Sequence, residues 1–461
     1  MQASSSDALV FFGATGDLAY KQIFPSIQGL IRDEGLNIPI LGVAKSGWSL
    51  DQLRDRAKDS LEHNGVLDQN AFKKMAELLR YVDGDYADPG TFARVRKELG
   101  ATKQPLHYLA IPPSLFGSVV EGLAKSGCGE NARVVVEKPF GHDLASAKAL
   151  NRILHQYFPE QSIFRIDHYL GKEPVQNIVY TRFANSMLEP IWNRVYVRSI
   201  QITMAENFGV QDRGHFYDET GTLRDVVQNH MLQVLANLIM DPPTGEDNEA
   251  MRDQKALLLK AIHPLSPESA VRGQYKGYRS VPGVAAGSTV ETFIAVKLSV
   301  DTWRWAGVPI YIRAGKEMPV TATEVVVEFK RPPRETFGEI VPTTSSHMRF
   351  RLSPGITIAL GVRVKTPGEQ MAGSDVELVL KRDAEVDEPP YQRLLGDAMR
   401  GNGELFARPD MVEAQWRIAQ PILGNATPLY IYEPGTWGPE EAVQLIGADG
   451  PWINPEQSQE P

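Results

Sequence analysis

Between residues 165 and 173 the chain reads Arg165, Ile166, Asp167, His168, Tyr169, Leu170, Gly171, Lys172 and Glu173. Few stretches of this length gather so many side chains able to bind an anion or move a proton. His168, Tyr169 and Lys172 supply donors suited to a phosphate dianion. Asp167 cannot do that work, but a carboxylate can orient a histidine. The same composition suits a charged solvated loop, and composition alone leaves the two readings even. A second histidine of interest is His230, in the run Asp225, Val226, Val227, Gln228, Asn229, His230. At helical spacing it shares a side with Leu223, Val226, Val227 and Val234, while Asp225 points elsewhere. A histidine on an apolar face is more often a satisfied core residue than a catalyst. Only a partner carboxylate and an adjacent cavity would reverse that, and spacing shows neither.

Three further segments carry nucleotide chemistry. Gly13, Ala14, Thr15, Gly16, Asp17, Leu18 and Ala19 follow an apolar run and precede a helical pattern. Glycines there allow a tight turn and close approach of a pyrophosphate to backbone N–H groups, with the helix N-terminus favouring its charge. The plainer alternative is a strand–helix turn that needs positive φ. Gly42, Val43, Ala44, Lys45 and Ser46 end the second apolar run. An NAD enzyme typically places Asp or Glu at such an end to hold the ribose 2′-hydroxyl. Lysine and serine suit a 2′-phosphate instead, although a solvated surface lysine also fits. Glu137, Lys138, Pro139, Phe140 and Gly141 follow the apolar run Val134–Val136. A lysine at the C-terminal end of a parallel strand faces the crevice where ligands bind.

These groups need elements to hold them. In the first third, strand patterns at Ala8–Phe12, Ile38–Ala44, Tyr81–Asp83, Leu106–Ala110 and Arg133–Val136 alternate with helical ones. Alternation of this kind implies a parallel sheet covered on both faces. After about residue 195 strand patterns come in succession: Arg198–Glu206, Glu291–Ser299, Val308–Arg313, Glu324–Lys330, Met348–Leu352, Thr357–Arg363 and Val376–Lys381. Most alternate apolar with polar, which suggests a large antiparallel sheet. A strong helical segment spans Gly221–Met240, and helices return around Tyr391–Phe406 and Met411–Leu423. The expected architecture is α/β plus α+β. A Rossmann-like dinucleotide-binding domain fills residues 1–175, and a domain with a large, mainly antiparallel sheet fills 176–461. The last dozen residues, with three prolines, read as a loose tail.

Composition narrows the class. At 461 residues, 42% hydrophobic and 23% charged, the chain is an ordinary globular protein with room for more than one domain. A formal net charge of −9 gives no electrostatic reason to expect nucleic acid. No apolar run is long enough to span a bilayer, and the N-terminus lacks the pattern of a secretory signal. A single cysteine, Cys128, permits no intramolecular disulfide and reads as an incidental loop thiol in a reducing, cytoplasmic setting. The nine histidines show no metal-ligand spacing, so no metal is expected.

Taken together the segments closely resemble the glucose-6-phosphate dehydrogenase family. RIDHYLGKE at 165–173 looks like that family's signature. In the same order stand GATGDLA at 13–19, EKPFG at 137–141, RDVVQNHMLQ at 224–233, VRGQY at 271–275, WRWAGVPIYIRAGK at 303–316 and YEPGTWGP at 432–439. The resemblance implies oxidation of D-glucose 6-phosphate at C1 to 6-phospho-D-glucono-1,5-lactone with hydride transfer to NADP, the first oxidative step of the pentose phosphate pathway. It implies His230 as the general base and Asp167 as the carboxylate that orients it. It assigns His168, Tyr169 and Lys172 to the phosphate, and Glu206 and Asp225 to the sugar hydroxyls. Lys138 falls between cofactor and substrate, and Lys316 is a further substrate-side lysine. Gly13, Ala14, Thr15, Gly16, Asp17, Leu18, Lys45, Asp85 and Tyr86 match the cofactor site. A homodimer or homotetramer is implied as well.

The chain departs from the family's pattern at Gln22, Thr321 and Lys45, where many members carry a basic residue, a lysine and an arginine. Lysine lacks the bidentate fork of arginine, so NAD stays open beside NADP. Another nicotinamide-linked sugar oxidoreductase would not need His168, Tyr169 and Lys172 together. A non-catalytic NADP-binding sensor would not need to keep Asp167, Lys138 and His230.

Overall fold

The computed structural model describes residues 5–245, 247–334, 337, 346–368, 371–382 and 388–457. Six strands, β1 (Ala8–Phe12), β2 (Ile40–Ala44), β3 (Leu79–Asp83), β4 (Pro105–Leu109), β5 (Arg133–Glu137) and β6 (Ile163–Ile166), form the first sheet. Their order is β3-β2-β1-β4-β5-β6 and every pair is parallel. β1, β2, β4 and β5 are buried along their whole length, which is why they read as continuous apolar runs rather than alternating ones. Strand order reverses between β1 and β4, so ligand chemistry is expected at their carboxyl ends.

β6 is absent from the strand patterns of the sequence. It has four residues, and one of them, Arg165, is a charge that the fold buries completely. Its guanidinium is paired with Glu160 at 2.8 Å. Cys128 lies in the turn after the helix Phe116–Lys125, and its thiol is buried there; burial pushes it up, and its backbone carbonyl meets His107 Nε2 at 2.8 Å.

The chain divides into two compact units that are not continuous spans. The first is Met1–Lys172 with Thr244–Arg252 and Glu388–Glu413, where the sequence suggests a single division between residues 175 and 176. The helix Pro390–Arg400 joins this unit through its apolar face. Leu394, Leu395, Ala398 and Met399 share a core with Ile27, Leu30 and Phe24. Gly29 lets the Gln392 side chain lie against its backbone, where a Cβ would come within 1.7 Å of Gln392 Oε1. Gln392 Nε2 donates to Asp33 Oδ2 at 3.1 Å, and Arg133 Nη1 donates to the Met399 carbonyl at 2.8 Å.

The second unit holds a sheet of nine strands: β7 (Val197–Ala205), β8 (Ala270–Tyr275), β9 (Phe293–Leu298), β10 (Ile310–Gly315), β11 (Ala322–Phe329), β12 (His347–Ser353), β13 (Ile356–Lys365), β14 (Gly373–Arg382) and β15 (Leu429–Tyr432). The order is β14-β13-β12-β11-β7-β10-β9-β8-β15. Pairs β7–β10 and β8–β15 are parallel; the others are antiparallel. β8 and β15 escape the sequence pattern. β8 carries a buried Arg272 whose Nη1 donates to the Thr427 carbonyl at 3.1 Å, and β15 is only four residues long.

The helical segment expected over Gly221–Met240 is not one α-helix. Gly221 has φ 68° and ψ 169°, and a Cβ there would approach Glu291 Oε1 to 2.5 Å. The chain then winds as a π-helix over Leu223–Met231 before an α-helix at Leu232–Ile239. Asn229 Nδ2 donates to the Arg224 carbonyl five residues back at 2.9 Å. An apolar stripe at α-helical spacing does not survive that change of pitch: Leu223, Val226, Val227, Gln228, Asn229, His230 and Met231 are all buried.

The described end of the chain is held, not loose. Ile453 N–H donates to Gln201 Oε1 at 2.8 Å, and Arg351 Nη2 donates to the Glu456 carbonyl at 2.8 Å. Arg313 is buried between the rings of Trp437 and Trp452, each 4.6 Å from its guanidinium carbon, and donates to Asn454 Oδ1 at 2.7 Å. The remainder of the expected tail, residues 458–461, lies outside the described residues.

Candidate active site

The turn after β1 is built on close approach. Gly13 has φ 80°, and a Cβ there would lie 2.1 Å from the Ala110 carbonyl oxygen, so no other residue fits without moving β4's end. Gly13 N–H donates to the Val43 carbonyl at 2.9 Å and faces the Tyr86 hydroxyl at the same distance. Tyr86 in turn donates to Val43 O at 3.1 Å. Gly16 N–H closes the turn on the Gly13 carbonyl at 2.9 Å. A helix begins at residue 17, and its first turn offers N–H groups to an anion, which suits a dinucleotide pyrophosphate. Thr15 and Ser46 hydroxyls meet at 2.8 Å, and Lys45 Nζ lies 2.7 Å from Asp85 Oδ2. Thus Gly13, Ala14, Thr15, Gly16, Asp17 and Leu18 share one rim with Lys45, Asp85 and Tyr86.

Lys138 follows β5 at its carboxyl end, joined to Pro139 by a cis peptide bond. The residue before it, Glu137, is a buried acid. It is in register with Ile166 of β6, so it lies beside the start of the Asp167 turn. Tyr108, fully buried on β4, donates to Glu137 Oε1. Burial pushes the Glu137 carboxyl up to about 7, with Asp167 adding to the rise and Tyr108 and Lys138 opposing it.

Asp167 caps the 3-10 turn His168–Gly171, its Oδ1 accepting from Tyr169 N–H at 3.1 Å. That cap turns the chain sharply and sets His168, Tyr169 and Lys172 together. Lys172 Nζ stands 3.9 Å above the Tyr169 ring, and the His168 and Tyr169 rings are 5.2 Å apart. Burial lowers the Lys172 ammonium's pKa, and the Asp167 carboxylate opposes that shift. A half-buried cation and a phenol on one turn can bind a phosphate dianion. Tyr391 joins them: its ring stacks on His168 at 6.1 Å and 15°.

In the second unit Glu206 follows β7, and Lys316 follows β10. Lys316 Nζ donates to Glu206 Oε2 at 2.6 Å, and both backbones are tied, with Glu206 N–H to the Gly315 carbonyl at 3.0 Å. The ammonium also lies 5.1 Å from the Phe208 ring and 5.2 Å from Tyr217. Tyr217 is fully buried; burial raises its hydroxyl's pKa well, and the Asp225 carboxylate adds to that. Asp225 and His230 sit on the π-helical segment, His230 buried and Asp225 half-buried. Thr321 does not act as a cation substitute. Its hydroxyl donates to Asn207 Oδ1 at 2.6 Å and accepts from Asn207 N–H at 3.1 Å, which fixes the turn that carries Glu206.

Sequence reasoning passed over Tyr391, Tyr108, Tyr217 and Phe208. Tyr391 belongs to a helix more than two hundred residues beyond the turn it meets, and no local spacing signals that. Tyr108 reads as one more apolar residue of a buried strand. Glu137 stands in a motif whose lysine draws the attention, yet an acid directly after the apolar run Val134–Val136 was a usable signal.

Comparison with known proteins divides the chain at a single point near residue 178. Residues 10–177 match the family described as Glucose-6-phosphate dehydrogenase, NAD binding domain, and residues 179–453 match Glucose-6-phosphate dehydrogenase, C-terminal domain. The chain is 44% identical over 454 residues to glucose-6-phosphate 1-dehydrogenase 1 of Mycobacterium bovis, covering 98% of this chain and 97% of that one. Among solved structures, glucose-6-phosphate 1-dehydrogenase from Mycobacterium avium superposes with a TM-score of 0.93 at 44% identity, covering 99% and 100% of the two chains. A glucose-6-phosphate dehydrogenase in complex with its substrate glucose-6-phosphate superposes with a TM-score of 0.91 at 34% identity, with the same coverage.

The buried acid yields a measurable pH dependence. The Glu137 carboxyl titrates near 7 in the fold and near 4.5 as its ordinary value, so the folded chain holds a proton that the unfolded chain has released. Its contribution to stability is whole below about 4.5 and is lost as pH rises through about 7. Glu137→Gln keeps an acceptor for Tyr108 and cannot ionise. Thermal melts between about pH 5 and pH 8 should show a smaller decline for the variant than for the parent. Equal declines would place the titration elsewhere.

Proposed function

Since the chain belongs to the glucose-6-phosphate dehydrogenase family, we propose that its residues serve one reaction, in the roles set out here. The chain is an oxidoreductase that converts D-glucose 6-phosphate to 6-phospho-D-glucono-1,5-lactone, the first oxidative step of the pentose phosphate pathway. NADP, when bound, accepts the hydride from C1. The observation that carries the reading is the turn 167–172, where Lys172, Tyr169 and His168 gather on one cap as a phosphate dianion requires.

His168, Tyr169 and Lys172 hold the phosphate and thereby fix the sugar's orientation. Glu206 and Asp225 accept hydrogen bonds from sugar hydroxyls, and the Lys316 ion pair keeps Glu206 in one place. His230 takes the proton from the C1 hydroxyl, since an imidazole near neutrality suits that step, and Asp167 is the carboxylate assigned to orient it. Lys138 stands on the side shared by cofactor and substrate. Gly13, Ala14, Thr15, Gly16, Asp17 and Leu18 hold the pyrophosphate, and Lys45, Asp85 and Tyr86 line the adenosine side.

Two wider features belong to the same reading. Leu378, Val379 and Leu380 on the edge strand β14, with Val364 on β13, are exposed apolar residues. An edge of that kind is commonly covered by a partner, which supports a homodimer or homotetramer. Among the described residues no helix is long and apolar enough to cross a membrane. With the single buried cysteine, that supports a cytoplasmic setting.

Steady-state kinetics test the assignments. His230→Asn should lower kcat by about 10²–10⁴-fold with little change in KM for the sugar phosphate; near-full kcat would remove His230 as the base. Lys172→Ala should raise KM for glucose 6-phosphate far more than for unphosphorylated glucose. Equal losses with the two sugars would show that Lys172 does not hold the phosphate.

A further inference from the structure

The rim that faces the adenosine ribose carries an anion where a 2′-phosphate needs cations. Lys45 is the lysine at the end of β2, and Asp85 Oδ2 already holds its Nζ at 2.7 Å. The neighbouring groups are fixed by other bonds. Asp83 Oδ1 accepts from Ser46 N–H at 3.0 Å and from Gly47 N–H at 2.7 Å, and the Tyr81 hydroxyl donates to it at 3.0 Å. Thr15 and Ser46 are occupied with each other at 2.8 Å. Asp85 Oδ1 is held by Ala87 N–H at 2.9 Å, which leaves Oδ2 directed at the lysine. The Ala87 N–H, and then Lys45, lower the pKa of the Asp85 carboxyl, so it is ionised near neutrality.

Dinucleotide folds that bind NAD usually place an acid after the second strand to accept from the ribose 2′-hydroxyl. Here that position is Lys45. An acid is supplied instead from the end of β3, two residues past Asp83, and it reaches the same rim. We propose that Asp85 is a specificity-determining residue of the cofactor site: its carboxylate competes with a 2′-phosphate for Lys45 and accepts a hydrogen bond from a ribose 2′-hydroxyl, so that the site takes NAD as well as NADP. The inference rests on the cofactor reading given above for this rim. An incoming phosphate dianion shares Lys45 with a fixed like charge, which weakens it. A neutral 2′-hydroxyl meets no such repulsion and finds an acceptor already oriented by Ala87 and Lys45.

Asp85→Asn tests this with little risk to folding, since the amide oxygen still accepts from Ala87 N–H and the side chain is half exposed. Dissociation constants for NADP and NAD, and kcat/KM for each at saturating glucose 6-phosphate, are compared with the parent at low ionic strength. NADP should tighten and NAD should weaken, moving their ratio by roughly fivefold or more, a size fitting an exposed charge pair. In a Lys45→Met background the NADP gain should vanish while the NAD loss remains. A ratio that moves by less than about twofold, or that shifts toward NAD, overturns the proposal. Parent protein that binds both nucleotides but reduces neither would count against the reaction and leave the binding ratio to judge Asp85.

Discussion

The cofactor half of this protein depends on the absence of one atom. At Gly13 the chain leaves β1 with φ 80°, and a Cβ would sit 2.1 Å from the Ala110 carbonyl oxygen. Because nothing occupies that space, the turn can fold back between the ends of β2 and β4 and hydrogen-bond to Val43. The helix that follows then starts at the crevice where strand order reverses, and Lys45, Asp85 and Tyr86 come to the same rim. Any side chain at residue 13 would push the turn outward and separate all of these together, which no surface ion pair could offset.

Charge is handled in three ways, and the differences follow from burial. Lys45 and Asp85 pair in the open, where solvent and salt weaken the attraction and an arriving anion can exchange with the carboxylate. Lys316, buried, pairs with the half-buried Glu206 while its ammonium lies near the Phe208 and Tyr217 rings, so their geometry is fixed before any sugar arrives. Glu137 is buried with two hydrogen-bonding neighbours, Tyr108 and Tyr391, and favours its neutral form up to about pH 7. The first arrangement suits selection among ligands, the second suits orientation, and the third marks an acid that burial holds near its titration point beside Lys138.

Much of this was legible from residue order alone, and the gaps have physical causes. Parallel strands buried on both faces leave continuous apolar runs, so β1, β2, β4 and β5 announce themselves, as does the glycine turn. β6 and β8 do not, because each carries a buried arginine whose partners, Glu160 and the Thr427 carbonyl, are named only by the fold. The π-helical stretch around His230 defeats an argument from α-helical spacing, since the change of pitch redistributes the faces. Tyr391 could not be placed beside His168 from spacing, because the helix carrying it returns to the first unit from far along the chain. The strap formed by Ile453, Asn454 and Glu456 looks like a proline-rich tail until Gln201, Arg313 and Arg351 are seen to hold it. The family's motifs, by contrast, are read from identity and order, so they pick out candidate site residues without any of that geometry.

The central claim is that this chain oxidises a phosphorylated sugar at C1 with NADP. The direct measurement is the rise in reduced-nicotinamide absorbance when purified protein meets NADP and glucose 6-phosphate, with glucose and 6-phosphogluconate in parallel. The account predicts rapid reduction with glucose 6-phosphate, little with glucose and none with 6-phosphogluconate. Folded protein that binds NADP yet leaves glucose 6-phosphate unchanged, or that oxidises glucose as fast, would contradict it.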